Sequence, residues 1–163
     1  DIFNYLKSDT FKDVLLKKFN ITDKTTIDIG LRKYLNFYEI APHPDIKKKG
    51  LTFFLNINYD NNLNNKLYHT KICSIKEKFK YIENFWKNNE IDTENIPWEY
   101  CKEEKIHYED NSMIIFQPSY NTIHGVKLNY NHLKFQRTHI YGNIFYSERQ
   151  QLPRMKLNEI PIT

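Results

Sequence analysis

Between Leu51 and Asn58 the chain alternates without a break. Leu51, Phe53, Leu55 and Ile57 form one set, and Thr52, Phe54, Asn56 and Asn58 form the other. Successive strand side chains point to opposite faces, so the segment predicts a strand with one fully apolar face. A β layer is therefore the starting point for the fold. Aromatic content of 15%, with twelve Tyr and eleven Phe, suits strands and an aromatic-lined interior. Only four Gly and six Pro argue against low-complexity structure. At 163 residues the chain fits a single domain, 1–163, able to bury a core without staples.

The remaining segments follow from the same two periodicities. Phe3 to Phe19 has helical spacing, with Asp9 or Thr10 as N-cap. Thr26 to Ile40 reads as extended. Asn61, Asn62, Asn64 and Asn65 mark a solvated turn, followed by a short extended piece through Tyr68 and Ile72. Ser74-Ile75-Lys76-Glu77 has the form of a capping box, and Ile75, Phe79, Ile82 and Trp86 form an apolar stripe behind it. Residues 91–105 are acidic, interrupted by Pro97, and read as irregular, which makes 74–105 an insertion between strands. Strands return at Ser112–Gln117, Thr122–Leu128 and Phe135–Tyr146, and the tail from Gln150 packs irregularly. The pattern is mainly β, with an N-terminal helix and one inserted helix.

The net charge of +4 is mild, and the lysines at 47–49 and at 76, 78 and 80 are interspersed with acids and read as solvated faces. A nucleic-acid binder would carry a stronger, one-sided basic surface, so that partner is not expected. Cys73 and Cys101 have no CxxC spacing and require no disulfide, which makes a cytoplasmic location the default. No apolar run approaches membrane-spanning length, and no signal-peptide pattern opens the chain.

Chemistry concentrates in two distant places. Pro42 and Pro44 bracket His43 and oppose helix, so His43-Pro44-Asp45 falls at a strand end or on a turn. On extended chain, ligands at i and i+2 point to the same side. His124 lies far downstream on a predicted strand, on the face shared with Thr122 and Val126. Two imidazoles and one carboxylate on one face of an iron leave three positions open. Such a triad needs donors about 2.0–2.2 Å from the ion, and a closed or sandwiched β-architecture would bring the segments that close. The bland alternatives are an Asp and a His that cap a turn, and a half-buried strand histidine.

The chain resembles the 2-oxoglutarate/Fe(II) oxygenases, most closely their prolyl-hydroxylase-like branch. The resemblance is carried by Tyr38 to Asp45 followed by Lys49 to Asn58, by Asn111 to Val126 with its His124-Gly125-Val126, and by Phe135-Gln136-Arg137-Thr138. It covers roughly residues 34–58 and 111–146. It implies a double-stranded β-helix (jelly roll) in which His43, Asp45 and His124 hold Fe(II). Arg137 would pair with the distal carboxylate of 2-oxoglutarate, where a planar bidentate donor suits better than the competing Lys127 or Lys134. Tyr38, Thr52, Phe54 and Asn56 are the further pocket candidates. The chain departs from many relatives in lacking a Gly-Gly-x-Leu segment between the iron-binding strands, but it retains Asp45, unlike the halide-binding relatives. The implied reaction is hydroxylation of a small molecule or protein side chain by dioxygen, with 2-oxoglutarate decarboxylated to succinate. The alternatives are a cupin-like metal- or sugar-binding module without turnover, and a nucleic-acid surface.

Overall fold

The computed structural model describes residues 1–58, 68–134 and 136–160. The asparagine-rich turn, Phe135 and Pro161 lie outside these residues. Two helices, α1 (Ile2–Lys7) and α2 (Asp9–Lys18), lead into β1 (Thr25–Lys33), β2 (Glu39–His43), β3 (Lys49–Asn56) and β4 (Thr70–Ile75). Then come α3 (Tyr81–Asn88), β5 (Asp92–Thr93), β6 (Cys101–His107), β7 (Met113–Phe116), β8 (Ile123–Lys127), β9 (Thr138–Tyr146) and β10 (Arg154–Met155). Two four-stranded antiparallel sheets result, ordered β1-β9-β3-β7 and β2-β8-β4-β6, with β5 and β10 paired in parallel beside them. The chain passes from sheet to sheet in a jelly-roll-like arrangement.

The alternation of β3 decides which way each sheet faces. Leu51, Phe53 and Leu55 join Ile140 and Ile144 of β9 beneath Leu6, Phe11 and Leu15 of the two N-terminal helices. Thr52 and Phe54, on the other face of β3, line a cavity together with His43, Thr70 and His124 of the second sheet. Outside that second sheet, Ile82 and Trp86 of α3 pack on Cys73, Ile75, Cys101 and Ile123. Dry cores therefore lie on the outer faces, under helices, and the space between the sheets is left for polar groups.

The N-terminal helical segment is broken into two helices. Ser8 has an extended backbone and its hydroxyl accepts from Phe11 N at 3.2 Å, so Ser8 rather than Asp9 or Thr10 caps α2. Ser74-Ile75-Lys76-Glu77 does not cap a helix either. Ser74 and Ile75 end β4, opposite Lys102 and Cys101, and the Ser74 hydroxyl donates to Glu104 at 2.6 Å. Helix α3 begins only at Tyr81, after a 3-10 turn at Glu77–Phe79. The acidic stretch before Lys105 contains most of β6. Its four consecutive charged residues, Lys102 to Lys105, are all exposed on this edge strand, so no alternation marks it as extended. The insertion between strands is thus shorter than 74–105: it is the excursion of residues 76–100, with α3 and β5, that separates the paired strands β4 and β6. The tail, read as irregular, supplies β10, a pairing that local pattern cannot reveal because β5 lies far away in sequence.

Gly142 faces Phe53 across β9 and β3, and a Cβ there would meet Phe53 Cζ at 2.0 Å. Gly142→Ala is expected to cost about 1–3 kcal/mol through overpacking, read as a lower midpoint in urea unfolding. An unchanged midpoint would mean that the Phe53 ring has room to move aside.

Candidate metal centre

The turn from β2 to β3 carries the chain from one sheet to the other and holds the His-Pro-Asp triplet. Ile40 pairs with Val126 and His43 with His124, so β2 spends one residue more than β8 over this stretch, a β-bulge. Pro42 is tolerated there because β2 is a sheet edge and the bulge breaks the ladder. Gly125 lets the bulge press close. A Cβ on it would lie 3.0 Å from both Ile40 O and Pro42 N. The bulge leaves His43 directly opposite His124 on the neighbouring strand, ring centroids 4.6 Å apart. Asp45 follows on the turn, where Lys47 N donates to Asp92 at 2.8 Å and Lys49 N to Ile46 O at 3.0 Å.

One donor atom from each of His43, Asp45 and His124 lies within 4.8 Å of the others. His43 Nδ1 is 2.9 Å from Ala41 O, and His124 Nδ1 is 3.2 Å from Thr122 O. A carbonyl can only accept, so both rings carry the proton on Nδ1 and present a bare Nε2. That is the tautomer a metal-binding imidazole needs. His124 Nε2 stands 3.9 Å from Asp45 Oδ2.

Burial pushes His124 down to about 4, against the opposing pull of Asp45, and it lowers His43 as well. Burial acts to raise Asp45, yet His124, Lys49 and Thr52 together outweigh it and hold the carboxyl below its usual range. Thr52 Oγ1 donates to Asp45 Oδ2 at 2.6 Å, and Lys49 Nζ pairs with Oδ1 at 2.5 Å. The three donors are thus neutral, neutral and anionic, the set that a divalent transition metal selects.

The cavity on this triad measures about 140 Å³. Phe54 and Phe116 flank His124 at 5.7 and 5.1 Å between ring centroids. Thr52 and Phe54 line it as candidates, whereas Tyr38, Asn56 and Arg137 do not. Tyr38 packs against Tyr34 with the rings tilted, 4.6 Å between centroids, at the edge of the cluster of Val126, Leu128 and Tyr130. Asn56 is fully buried, and its amide donates to His107 O and Glu109 O at 3.1 and 3.2 Å, bracing the approach to β7.

Arg137 lies just before β9 and is completely buried. Its Nη2 donates to Thr70 at 2.8 Å and its guanidinium lies 5.0 Å over the Tyr34 ring. Thr70 and Tyr34 are both cavity walls, so Arg137 stands directly behind them. Its Nε and Nη1 have no hydrogen-bond partner, and among the described residues no carboxylate pairs with it. Burial brings its pKa down to about 10. His139 shares the side of Arg137, with Nε2 3.3 Å from the Tyr34 hydroxyl. Burial first, and then the charge of Arg137, hold His139 at about 2.

Lys49 was grouped by sequence with a solvated patch, although its spacing of four residues from Asp45 was a usable signal. Arg32, Tyr141 and Asn143 also line the cavity. The last two extend the alternation that begins with Arg137 and His139 along β9, so the strand pattern contained them.

No family model matches the chain, and no curated protein does. Fourteen solved chains match it. One is an oxidoreductase of the 2OG-Fe(II) oxygenase family from Burkholderia pseudomallei, 10% identical with a TM-score of 0.51 over 94% of this chain and 61% of that one. The chain thus spans about three fifths of that protein, and at this identity the likeness is one of fold alone.

His124 and His139 refuse protons that an unfolded chain accepts near the ordinary imidazole value of 6.5. Below that pH the unfolded state binds more protons, so folding stability is complete above it and is lost as pH falls toward 4. Two such groups give a slope of more than about 1 kcal/mol per pH unit. Urea unfolding of the metal-free protein at several pH values through this window checks it. A flat profile would mean that water reaches both rings.

Proposed function

We propose that the chain is an Fe(II)- and 2-oxoglutarate-dependent dioxygenase, a double-stranded β-helix acting as one domain that hydroxylates a substrate. The observation that carries the reading is the triad itself, His43, Asp45 and His124 within 4.8 Å, with both Nδ1 atoms tied to backbone carbonyls. His43 and His124 would hold the iron through Nε2, and Asp45 through a carboxylate oxygen. Bound there with 2-oxoglutarate and dioxygen, the iron supplies the oxidising power for C–H hydroxylation, with release of succinate and carbon dioxide.

The chain's own residues do the positioning. Thr52 fixes one oxygen of Asp45, and Lys49 neutralises the carboxylate until a divalent cation takes it. The orphaned Nε and Nη1 of Arg137 fit the distal carboxylate of a five-carbon diacid, because a buried guanidinium without an anion is costly. Phe54 and Phe116 give the triad an apolar wall that excludes water. No helix among the described residues is long and apolar enough to cross a membrane. The buried free thiols of Cys73 and Cys101 suit a reducing cytoplasm.

Anaerobic titration with Fe(II) and then 2-oxoglutarate should give one iron per chain and a visible charge-transfer band. Succinate should form once dioxygen is admitted. Asp45→Ala and His124→Ala should each lose the iron. Metal binding without any succinate would favour the cupin-like module instead. Arg137→Ala should weaken 2-oxoglutarate binding about tenfold to a hundredfold while the iron stays, since a charge-assisted pair contributes about 1.5–3 kcal/mol. Unchanged cosubstrate affinity in that variant would move the anchor to another cation.

A further inference from the structure

A second hollow, of about 490 Å³, opens on the outer side of the His-Pro-Asp turn. His43, Asp45 and Lys49 form one wall, and Glu94, Asn95 and Arg154 form the other. The first three also line the inner cavity, so a molecule in this hollow would sit against the triad. Its size falls within the usual range for small-molecule sites, about 300–1,000 Å³.

Arg154 is placed there by the short parallel pairing of β10 with β5, in register with Asp92. Asp92 N donates to Pro153 O at 2.9 Å, and the Asp92 carboxylate accepts Lys47 N at 2.8 Å. One residue thus ties the strand that carries Arg154 to the turn that carries Asp45. Arg154 has no ion-pair partner among the described residues and lines the hollow that His43 also lines. Of the two acids in the hollow, Asp45 is already paired with Lys49. Glu94 alone faces Arg154, while the inner cavity adds the further cation Arg32. The hollow's own charges balance, and counted over the two cavities together Lys49, Arg154 and Arg32 exceed Asp45 and Glu94 by one; the unpaired Arg154 guanidinium is the group that binds a carboxylate or phosphate, through two parallel hydrogen bonds.

We propose that this hollow is the primary-substrate subsite and that the substrate is a small molecule bearing a carboxylate or phosphate, whose anionic end Arg154 holds while its reacting carbon faces the triad. The proposal rests on the oxygenase reading for its chemistry but not for the binding it requires.

Phenyl phosphate and phenylacetate serve as probes, titrated separately into ¹⁵N-labelled metal-free protein, and the tighter of the two identifies the anion. Saturable amide shifts are expected at Ile46, Asn95 and Arg154. Arg154→Ala should weaken the probe about tenfold, Arg154→Lys should weaken it less, and Glu94→Gln should tighten it. Circular dichroism verifies that each variant is folded, and Glu94→Gln tests the idea independently of any Arg154 variant. Absent or non-saturating shifts, or titrations insensitive to both positions, would overturn the proposal. Shifts confined to the lysines at 76, 78 and 80 would overturn it too. A parallel Mn(II) titration separates the two readings. Probe binding without metal binding would sink the oxygenase and keep the anion subsite, and metal binding without probe binding would do the reverse.

Discussion

The structure depends on a division of faces that begins in β3. Leu51, Phe53 and Leu55 need a dry partner, and they find it in the helices outside the sheet. Thr52 and Phe54 are thereby committed to the space between the sheets. The second sheet repeats the arrangement, with α3 over Cys73, Ile75 and Ile123 and with His124 turned inward. Two hydrophobic cores on the outside free the centre from having to be a core. The interior can therefore hold groups that no ordinary core would keep.

Keeping them there requires compensation at each atom. Asp45 has its two oxygens met by Lys49 and Thr52, and the two histidines surrender Nδ1 to carbonyls. Such buried groups are tolerated because every polar atom facing the protein is met, and the atoms left open face one point. Asn56 Oδ1 and His139 Nδ1 are neutral atoms left unpaired, and Arg137 is the charged group that departs from this. It is fully enclosed, bonded to Thr70 through one nitrogen and open at two others. A buried cation in that condition costs stability rather than adding to it. Local packing around it is aromatic and histidine-rich, which offers polarisable walls without a competing carboxylate.

The site was legible where a short pattern coincided with a single local geometry. His43 stands between two prolines with Asp45 two residues on, and His124 stands on a clean strand, so both halves could be read as candidates. Thr52 and Phe54 followed from alternation. Tyr38 and Asn56 lie off the cavity lining, because nearness in sequence to the triad says nothing about rotamer or depth. One side chain packs against Tyr34 and the other turns to the carbonyls of His107 and Glu109. Ser74 and Glu77 fit a helix signature that a strand pairing overrode, because the ladder to Lys102 and Cys101 offers more partners than one cap.

Periodicity and proline placement by themselves determined the β character, the turn at Asp45 and the inward set on β3. These are local properties, fixed by the two-residue period of the strand and the ring of proline. The tertiary structure alone decided that His43 faces His124, since a bulge and a close glycine set that register. It alone brought Lys49 onto Asp45 and Arg137 behind Tyr34, and it alone made β10 a wall of the outer hollow. Contacts of that kind depend on which strands become neighbours, and pairing between segments so far apart is chosen by the whole fold's burial rather than by any one segment's pattern.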